Sequence, residues 1–297
     1  MNRSTKFLVG LFVVLGAFAY LMLPSNKERE TSYKTAELSI KIDSASVVKI
    51  DIQQPAKSVT LENVGGTWMV TAPLRATADP NAVKQLISGM VKFKVGSLIS
   101  SNPEKQNLYQ VDATGTKLTV SERAGKSMSL ILGKTGPTYS ETYFRLPESK
   151  DVYLGEGVES WVLNKEVKDW REKTILVTSR DSIQSLSYML GNKEYAFQHD
   201  STGWQSGGKT VDVNTMNPVL NTVTNLRADD FADTAVTMNT RPVTLKIHGS
   251  EDITLQMSPI PPDSARYYIS SSSTPQLFII SKYTAQQLMK PIEQPKK

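Results

Sequence analysis

The two histidines, His199 and His248, are the side chains of this 297-residue chain best suited to acid–base chemistry or metal binding near neutral pH. Asp200 follows His199 and could orient a catalytic base, but no serine or acidic residue can be paired with that histidine by spacing. A zinc site needs three or four ligands, and neither HExxH nor a comparable spacing occurs. The chain has no cysteine, which excludes thiolate chemistry and disulfides. We therefore predict surface histidines, with no catalytic residue and no metal ligand.

The sequence Gly133-Lys134-Thr135 follows a predicted strand and resembles the end of a phosphate-binding P-loop. A P-loop also needs a glycine five residues before Gly133, where this chain has Met128. Without that glycine the backbone cannot form the loop that cradles an anion, so the pattern favours a hairpin end with a solvated lysine. Ser46 and Lys49 have the spacing of the serine and lysine of penicillin-interacting enzymes, but they run into a predicted strand, where residues three apart point to opposite faces. We predict no cofactor.

The four tryptophans could form an aromatic platform for a carbohydrate or another flat ligand. Trp68 and Trp204 follow glycine turns at matching places in the two halves of the chain, which favours core packing. Trp161 and Trp170 have no such match. They are the main support in the sequence for a ligand-binding surface.

Asp79 and Asp212 could be interpreted as a pair of catalytic acids. Each precedes a predicted helix, however, and aspartate at the N-cap accepts hydrogen bonds from the first backbone N–H groups of a helix. We therefore interpret Trp68, Asp79, Trp204 and Asp212 as structural markers of a repeat.

The elements that position these residues occur twice along the chain. Residues 47–134 and 183–259 show the same order of strands, glycine turns, capped helix and further strands. The apolar helix stripe Val83, Leu86, Ile87, Met90 and Phe93 is matched 133 residues later by Met216, Val219, Leu220, Val223 and Leu226. A repeat of this length is too long for a solenoid unit and predicts two tandem copies of one β-rich domain.

The pattern predicts an α+β fold, in which an antiparallel sheet packs against one main helix in each copy. A short helical stretch through Trp161, Val167 and Trp170 ends the first copy. Pro218 lies inside the second main helix, which could begin later, at Asn217-Pro218, because proline inside a helix loses a hydrogen bond.

An uncharged apolar run at residues 7–23 has the length of a short membrane-spanning helix. Arg3 and Lys6 precede this run and the charges just after it cancel, which places the N-terminus in the cytoplasm and the rest outside. A cleaved signal peptide ending near Ala19 is the alternative. The predicted anchor residues, which would contact membrane lipid, are Phe7, Leu8, Val9, Leu11, Phe12, Val13, Val14, Leu15, Phe18, Leu21 and Leu23.

The predicted organisation has four parts. They are a cytoplasmic tip and anchor at 1–24, a stalk at 25–36, a first repeat at 37–177 and a second repeat with a short tail at 178–297. The formal net charge of +5 is a small imbalance without a basic block, so nucleic acid is not an expected partner.

A series of short motifs in the first copy carries a family resemblance. The motifs include Gly-Thr-Trp-Met-Val from Gly66, Ala-Asp-Pro-Asn-Ala-Val from Ala78, Leu-Ile-Leu-Gly-Lys from Leu130 and Asp-Trp-Arg-Glu-Lys from Asp169. The chain resembles the family catalogued as domain of unknown function 4340, well over about residues 45–177 and more loosely in the second copy. This resemblance implies an N-terminal anchor, an extracytoplasmic domain and a place beside gliding-motility-type ABC transporter components. Members commonly have Tyr-Gly-Leu where this chain has Tyr109-Gln110-Val111, so we expect that turn to differ.

These features leave three functions to compare. The first is a non-enzymatic accessory or scaffold protein for a membrane complex such as an ABC-type transporter, held at the bacterial inner membrane by a single pass with its bulk periplasmic or extracellular. The alternative is a binding module for an envelope polymer or a small ligand. The third, a hydrolase with scattered carboxylates, has no support in residue spacing.

Overall fold

The computed structural model describes residues 40–290, except for 234, 235, 237, 239, 240, 263 and 264. Strands make up 46% and helices 20% of these residues, so the fold is mostly β and the predicted α+β class is wrong. The additional strand content lies partly in segments that the sequence pattern left as connections. One of them is Lys94–Ser100, directly after the first main helix.

The predicted membrane anchor at residues 7–23 lies outside the described residues. Within the described part of the chain, no helix is long and apolar enough to cross a membrane. The two longest of the described helices have 12 residues each, against the roughly 20 that a bilayer core requires. No helix among the described residues therefore corresponds to the predicted single-pass transmembrane helix.

The chain divides into two compact units, Met1–Arg171 and Glu172–Lys297. This division lies before the predicted boundary after residue 177. The strand Thr174–Val177, which falls between the two positions, pairs with Asn225–Arg227 inside the second unit.

The first unit contains one nine-stranded antiparallel sheet with the strand order β4-β3-β2-β1-β6-β7-β8-β9-β5. Its strands are β1 (Val47–Gln53), β2 (Ser58–Val64), β3 (Thr67–Ala72), β4 (Ala76–Thr77), β5 (Lys94–Ser100), β6 (Thr116–Glu122), β7 (Ser127–Thr135), β8 (Glu141–Arg145) and β9 (Val152–Glu156). The sequence predicts hairpins around Gly65-Gly66, around Ala124-Gly125 and at residues 147–151. The structure confirms them as β2–β3, β6–β7 and β8–β9.

Among the described residues, the first unit contains the α-helices α1 (Pro80–Val91) and α2 (Ser160–Leu163). Helix α1 begins where the Asp79-Pro80 pair predicts, with proline at its first position. Its apolar stripe packs on the buried face of the sheet in one core, which includes Val83, Leu86, Met90, Ile50, Leu61, Leu118 and Phe144. The predicted last helical stretch is in fact two pieces, α2 and a 3₁₀ turn at Val167–Trp170, because Glu166 between them is extended, with φ −74° and ψ 161°.

The second unit repeats this topology in a second nine-stranded antiparallel sheet, with the order β14-β13-β12-β11-β17-β18-β19-β20-β16. The strands of the unit are β10 (Thr174–Val177), β11 (Ser185–Leu190), β12 (Lys193–Asp200), β13 (Gly203–Ser206), β14 (Lys209–Thr210), β15 (Asn225–Arg227), β16 (Asp230–Phe231), β17 (Val243–His248), β18 (Ile253–Pro259), β19 (Arg266–Ser271) and β20 (Thr274–Ser281). Strands β10 and β15 form a separate two-stranded antiparallel sheet.

The described part of the second unit contains the α-helices α3 (Val213–Thr224) and α4 (Lys282–Leu288). Helix α3 packs its stripe of Met216, Val219, Leu220 and Val223 into a core with the sheet. It begins at Val213 and includes Pro218, so the later start at Asn217 is wrong. The early start is supported by Asp212, whose carboxylate accepts a hydrogen bond from the N–H of Asn214 at 2.8 Å.

Candidate functional site

The four repeat markers serve the fold. The Asp79 carboxylate accepts hydrogen bonds from the N–H groups of Asn81 at 2.8 Å and Ala82 at 3.3 Å, and Asp212 caps α3 in the same way. Trp204 is buried in the core of the second unit, and the half-buried Trp68 packs against the core of the first. Their contacts are those of helix caps and core residues rather than of a chemical site.

Both histidines are exposed and lie in the second unit. The ring of His199 contacts that of Trp204, with 5.1 Å between centroids, and Nδ1 of His248 is hydrogen-bonded to the Asp252 carboxylate. Among the described residues, no group of three or more histidine, cysteine or acidic side chains could hold a metal ion.

The features of the first copy that lack a counterpart in the second converge on helix α2. Lys134 and Thr135 end strand β7, and the Thr135 hydroxyl lies 2.8 Å from the Ser160 hydroxyl at the start of α2. Trp161 follows, and Lys165 lies just beyond the helix. We refer to Lys134, Thr135, Ser160, Trp161 and Lys165 as the α2 surface.

Trp161 is the exposed aromatic side chain of this surface. Its side chain is 51% exposed, and its indole N–H donates a hydrogen bond to the Glu159 carboxylate. Nζ of Lys165 lies 5.8 Å from the ring centroid of Trp161 and also 5.8 Å from that of Trp170. Trp170 itself is fully buried, so only one of the two predicted ligand-binding tryptophans reaches the surface.

The loop before Trp161 contacts the backbone of the last turns of α1. Gly157 has φ 120°, and a Cβ at this position would be 2.6 Å from the carbonyl oxygen of Gly89. Because neither glycine has a side chain, the loop and the helix backbone can touch. This contact leaves a groove of about 200 Å³ whose lining includes Gln85, Lys92 and Trp161.

A polar cavity of about 270 Å³ lies on the other side of α2. Its lining includes the polar residues Gln110, Thr116, Lys134, Thr135, Ser160 and Asn164. Asn164 is oriented by Gln54, whose amide Nε2 donates to the Asn164 side-chain oxygen at 3.2 Å.

Lys134, one of the lining residues, also lies beside two tyrosine rings. The ring centroids of Tyr109 and Tyr143 are 4.7 Å apart, and Nζ of Lys134 lies 5.9 Å from each of them. Burial raises the pKa of the Tyr143 hydroxyl, with smaller contributions from Tyr109 and Glu141, so this ring stays neutral near physiological pH. A cationic amine beside two neutral rings and several hydroxyls could contact a partner surface or a small polar ligand.

Gly133, Lys134 and Thr135 lie in strand β7 rather than in a loop before a helix, which differs from the geometry of a P-loop. A Cβ at Gly133 would collide with the carbonyl oxygen of Tyr109. This glycine therefore allows a close approach between two backbone segments. The contact of Lys134 with Tyr109 and Tyr143 joins three separate segments, and no spacing in the sequence indicated it.

The chain matches a family model. The family model described as "Domain of unknown function (DUF4340)" matches residues 68–247, which include parts of both units. No curated protein and no solved structure matches the chain.

Proposed function

Because the chain belongs to the DUF4340 family, we propose that it is a non-catalytic accessory or scaffold protein of an ABC-type membrane transport complex. The family resemblance supports the proximity to transporter components. The extracytoplasmic location at the bacterial inner membrane stays a prediction from the sequence. In this proposal the contact with transporter subunits is made by the α2 surface of the first unit.

The observation that carries this proposal is the exposed and oriented indole of Trp161. Tryptophan is among the residues most enriched at the energetic centres of protein interfaces, because it buries a large apolar area on binding. The hydrogen bond to Glu159 and the nearby Lys165 amine hold the ring in one orientation. A ring held in this way loses less rotational freedom when a partner covers it.

The test is recovery of transporter subunits with the tagged full chain from membranes in a mild detergent. We expect the natural chain to recover an ABC permease and its ATPase, and Trp161→Ala to lower that recovery about tenfold or more, since interface tryptophans are often worth 2 kcal/mol or more. Tyr283→Ala is the matched control, because Tyr283 is a 70% exposed aromatic residue of the second unit.

Two results would contradict the proposal. One is that the natural chain is reproducibly recovered alone. The other is that Trp161→Ala, shown by circular dichroism to be folded, recovers the same subunits in the same amount.

The polar cavity beside α2 favours a second candidate, a binding module for a small ligand or an envelope polymer. Its hydroxyl, amide and amine groups match the polar groups of a glycan. Glycan arrays and peptidoglycan pull-downs with the full chain would test this function. Saturable binding that Lys134→Met abolishes and Lys84→Met does not would support it, because Lys84 is an exposed residue of α1 outside the cavity lining. No saturable binding would exclude it.

A further inference from the structure

A row of side chains crosses the face of the first unit's sheet that points away from helix α1. The strand register places Gln53 of β1, Lys117 of β6, Ile131 of β7 and Arg145 of β8 directly opposite one another on successive strands. The residues that alternate with them along these strands are buried in the core with α1, so this row points to the opposite face. Because adjacent strands are about 4.8 Å apart, the backbones at Lys117 and Arg145 are about 10 Å apart, with Ile131 between them.

This row lines a cavity of about 440 Å³. The other lining residues come from residues 54–55, after β1, and from the segment 112–115, before β6. The volume is in the range of cavities that hold small molecules. The row therefore presents two basic side chains, on either side of an apolar one, in a space that suits a small ligand.

The guanidinium group of Arg145 is fixed by backbone carbonyl groups. Its Nε donates to the carbonyl of Val111 at 2.5 Å, and its Nη1 donates to those of Leu146 at 3.1 Å and Pro147 at 2.8 Å. Its Nη2 donates no hydrogen bond within the part of the chain that the structure describes, and it is open to solvent. The group is therefore held in place with one nitrogen left for a ligand.

Positive charge exceeds negative charge in the lining. Neither Arg145 nor Lys117 forms an ion pair with another described residue. Asp112 is the only acidic residue among the described lining residues, and its carboxylate accepts hydrogen bonds from the N–H of Thr114 at 3.2 Å and from its hydroxyl at 2.6 Å. These bonds, with a smaller contribution from Arg145, lower the pKa of Asp112, so this carboxylate is charged at neutral pH. One negative charge beside two positive ones favours an anionic ligand, because guanidinium and ammonium groups donate strong hydrogen bonds to carboxylate and phosphate oxygens.

The uncharged lining residues indicate the rest of the ligand. Nε2 of Gln54 donates to the carbonyl of Leu163 at 2.9 Å, which orients the side-chain oxygen of Gln54 and leaves it without a partner among the described residues. Gln53 is exposed, and its amide can both donate and accept hydrogen bonds. Ile131 is half-buried between the two basic residues. Amides beside an apolar side chain match a hydroxylated ring, which has hydroxyl groups at its rim and C–H groups on its face.

We propose that this cavity binds a small hydroxylated ligand, of the size of a single sugar, through one carboxylate or phosphate group. Nη2 of Arg145 and Nζ of Lys117 contact the anionic oxygens. Ile131 contacts the apolar face of the ring, and the amides of Gln53 and Gln54 contact its hydroxyl groups.

This site goes beyond the proposed function and does not depend on it. None of the described residues that line it belongs to the α2 surface, and its variants leave Trp161 and Lys134 unchanged. Recovery of transporter subunits and binding of the acidic ligand can therefore fail independently.

The experiment is isothermal titration calorimetry of the purified full chain, in a mild detergent, with four probes. They are glucuronic acid, glucose phosphorylated at its primary hydroxyl group, glucose itself and inorganic phosphate. We expect at least one of the two acidic sugars to bind saturably and about tenfold or more tightly than glucose, because only the acidic sugars pair with Arg145 and Lys117. The tighter of the two identifies the anionic group as a carboxylate or a phosphate.

Lys117→Met should weaken binding of the tighter acidic sugar about fivefold, since it removes one charged contact at the surface. Lys94→Met is the matched control and should change the affinity less than about twofold, because Lys94 is an exposed lysine of the same sheet outside the cavity lining. Arg145 is left unchanged, because it also holds the turn after β8.

Asp112→Asn tests the sign of the ligand's charge. It removes the carboxylate of the lining and keeps a side-chain oxygen that can accept from Thr114. We expect it to tighten binding of the acidic sugar about two- to fivefold, because one repulsive charge is lost.

The proposal is overturned if neither acidic sugar binds saturably, or if glucose binds as tightly as both. It is also overturned if a folded Lys117→Met chain binds the acidic sugar as tightly as the natural chain, or if Asp112→Asn weakens binding. Inorganic phosphate that binds as tightly as the tighter acidic sugar would overturn it as well, since the hydroxylated ring would then contribute nothing.

Discussion

Gln110 is the only non-glycine residue in the described part of the chain with a positive φ, at 56°. This left-handed conformation costs a residue with a Cβ about 1–2 kcal/mol. Gln110 adopts this conformation at the end of the 3₁₀ turn Asn107–Tyr109. It is the conformation that glycine, the central residue of the family's Tyr-Gly-Leu pattern, adopts most readily, and the predicted difference from the family's turn stays a prediction.

Gln110→Gly is therefore expected to stabilise the first unit by about 0.5–1 kcal/mol, since relief of the left-handed strain exceeds the extra entropy of glycine in the unfolded chain. Urea denaturation would measure the change in the free energy of unfolding. Gln106→Gly is the matched control and should destabilise, because Gln106 is right-handed helical, with φ −61° and ψ −35°. Equal effects of the two substitutions would contradict the argument.

Tyr188 makes the stability of the second unit depend on pH in the alkaline range. It is buried, it donates a hydrogen bond to the carbonyl of Lys290, and its ring stacks on Tyr195 with 5.2 Å between centroids. Burial, followed by the effect of Tyr195, raises the pKa of the Tyr188 hydroxyl. The folded state therefore favours the neutral hydroxyl. The resulting stabilisation is fully present below the pKa of an unfolded tyrosine, about 10, and is lost as the pH rises towards the folded-state pKa.

We expect the free energy of unfolding to fall above about pH 10, with Tyr188 contributing up to about 1.4 kcal/mol per pH unit. Tyr188→Phe should reduce this dependence, although it removes a hydrogen bond worth about 1 kcal/mol at neutral pH. Urea denaturation between about pH 8 and about pH 11 would measure both effects. Tyr283→Phe, at an exposed tyrosine, should leave the slope unchanged. The same slope in Tyr188→Phe and the natural chain would refute the assignment.

At the scale of elements, the sequence predicts tight turns and helix starts, but it does not predict which strands pair when they lie far apart in the chain. The Gly65-Gly66 turn and the Asp79-Pro80 start predicted β2–β3 and α1, because the residues that make these structures are adjacent in the chain. Strand β5 carries no regular alternation and is held by its pairing with β9, far along the sequence. The same limit applies to the site. Trp161 could be singled out by residue type, but the contact of Lys134 with Tyr109 and Tyr143 depends on the register of the sheet.

Helix α3 accommodates Pro218 in its interior, which leaves the carbonyl of Asn214 without the usual N–H four residues later. Pro218→Ala restores this donor and removes the clash of the ring with the preceding turn. We expect a gain of about 1–2 kcal/mol in the free energy of unfolding, after the smaller opposing effect on the unfolded chain.

Thermal unfolding followed by circular dichroism would detect this gain. Pro80→Ala at the first position of α1 is the matched control and should bring none, because the N–H of that position has no partner within the helix. A gain of the same size in both variants would contradict the explanation.

At the scale of the whole molecule, each unit has a hydrophobic core of its own, built from the same face of its sheet and its main helix. Leu86 of α1 and Leu220 of α3 are both buried in these cores. Leu86→Ala and Leu220→Ala should each cost about 2–5 kcal/mol, through lost burial and the cavity left behind.

Hydrogen exchange of the backbone amides would show which unit is destabilised by each substitution. We expect Leu86→Ala to lower the protection of the amides in β1 and β6, and Leu220→Ala to lower that in β11 and β17. If either variant lowered protection equally in both pairs of strands, the two cores could not be treated as separate sources of stability.

The strand order that the two sheets share also has a consequence for folding kinetics. In each unit the first long strand pairs with one that follows the main helix, β1 with β6 and β11 with β17. A shorter strand after the helix pairs with the last strand of the sheet, β5 with β9 and β16 with β20. These contacts form only after long loops have closed, so folding is expected to take roughly milliseconds to seconds rather than microseconds. During synthesis a unit cannot complete its sheet until its last strand has left the ribosome. Its apolar strands therefore stay exposed for most of that time, which makes each unit a candidate for chaperone binding before it is complete.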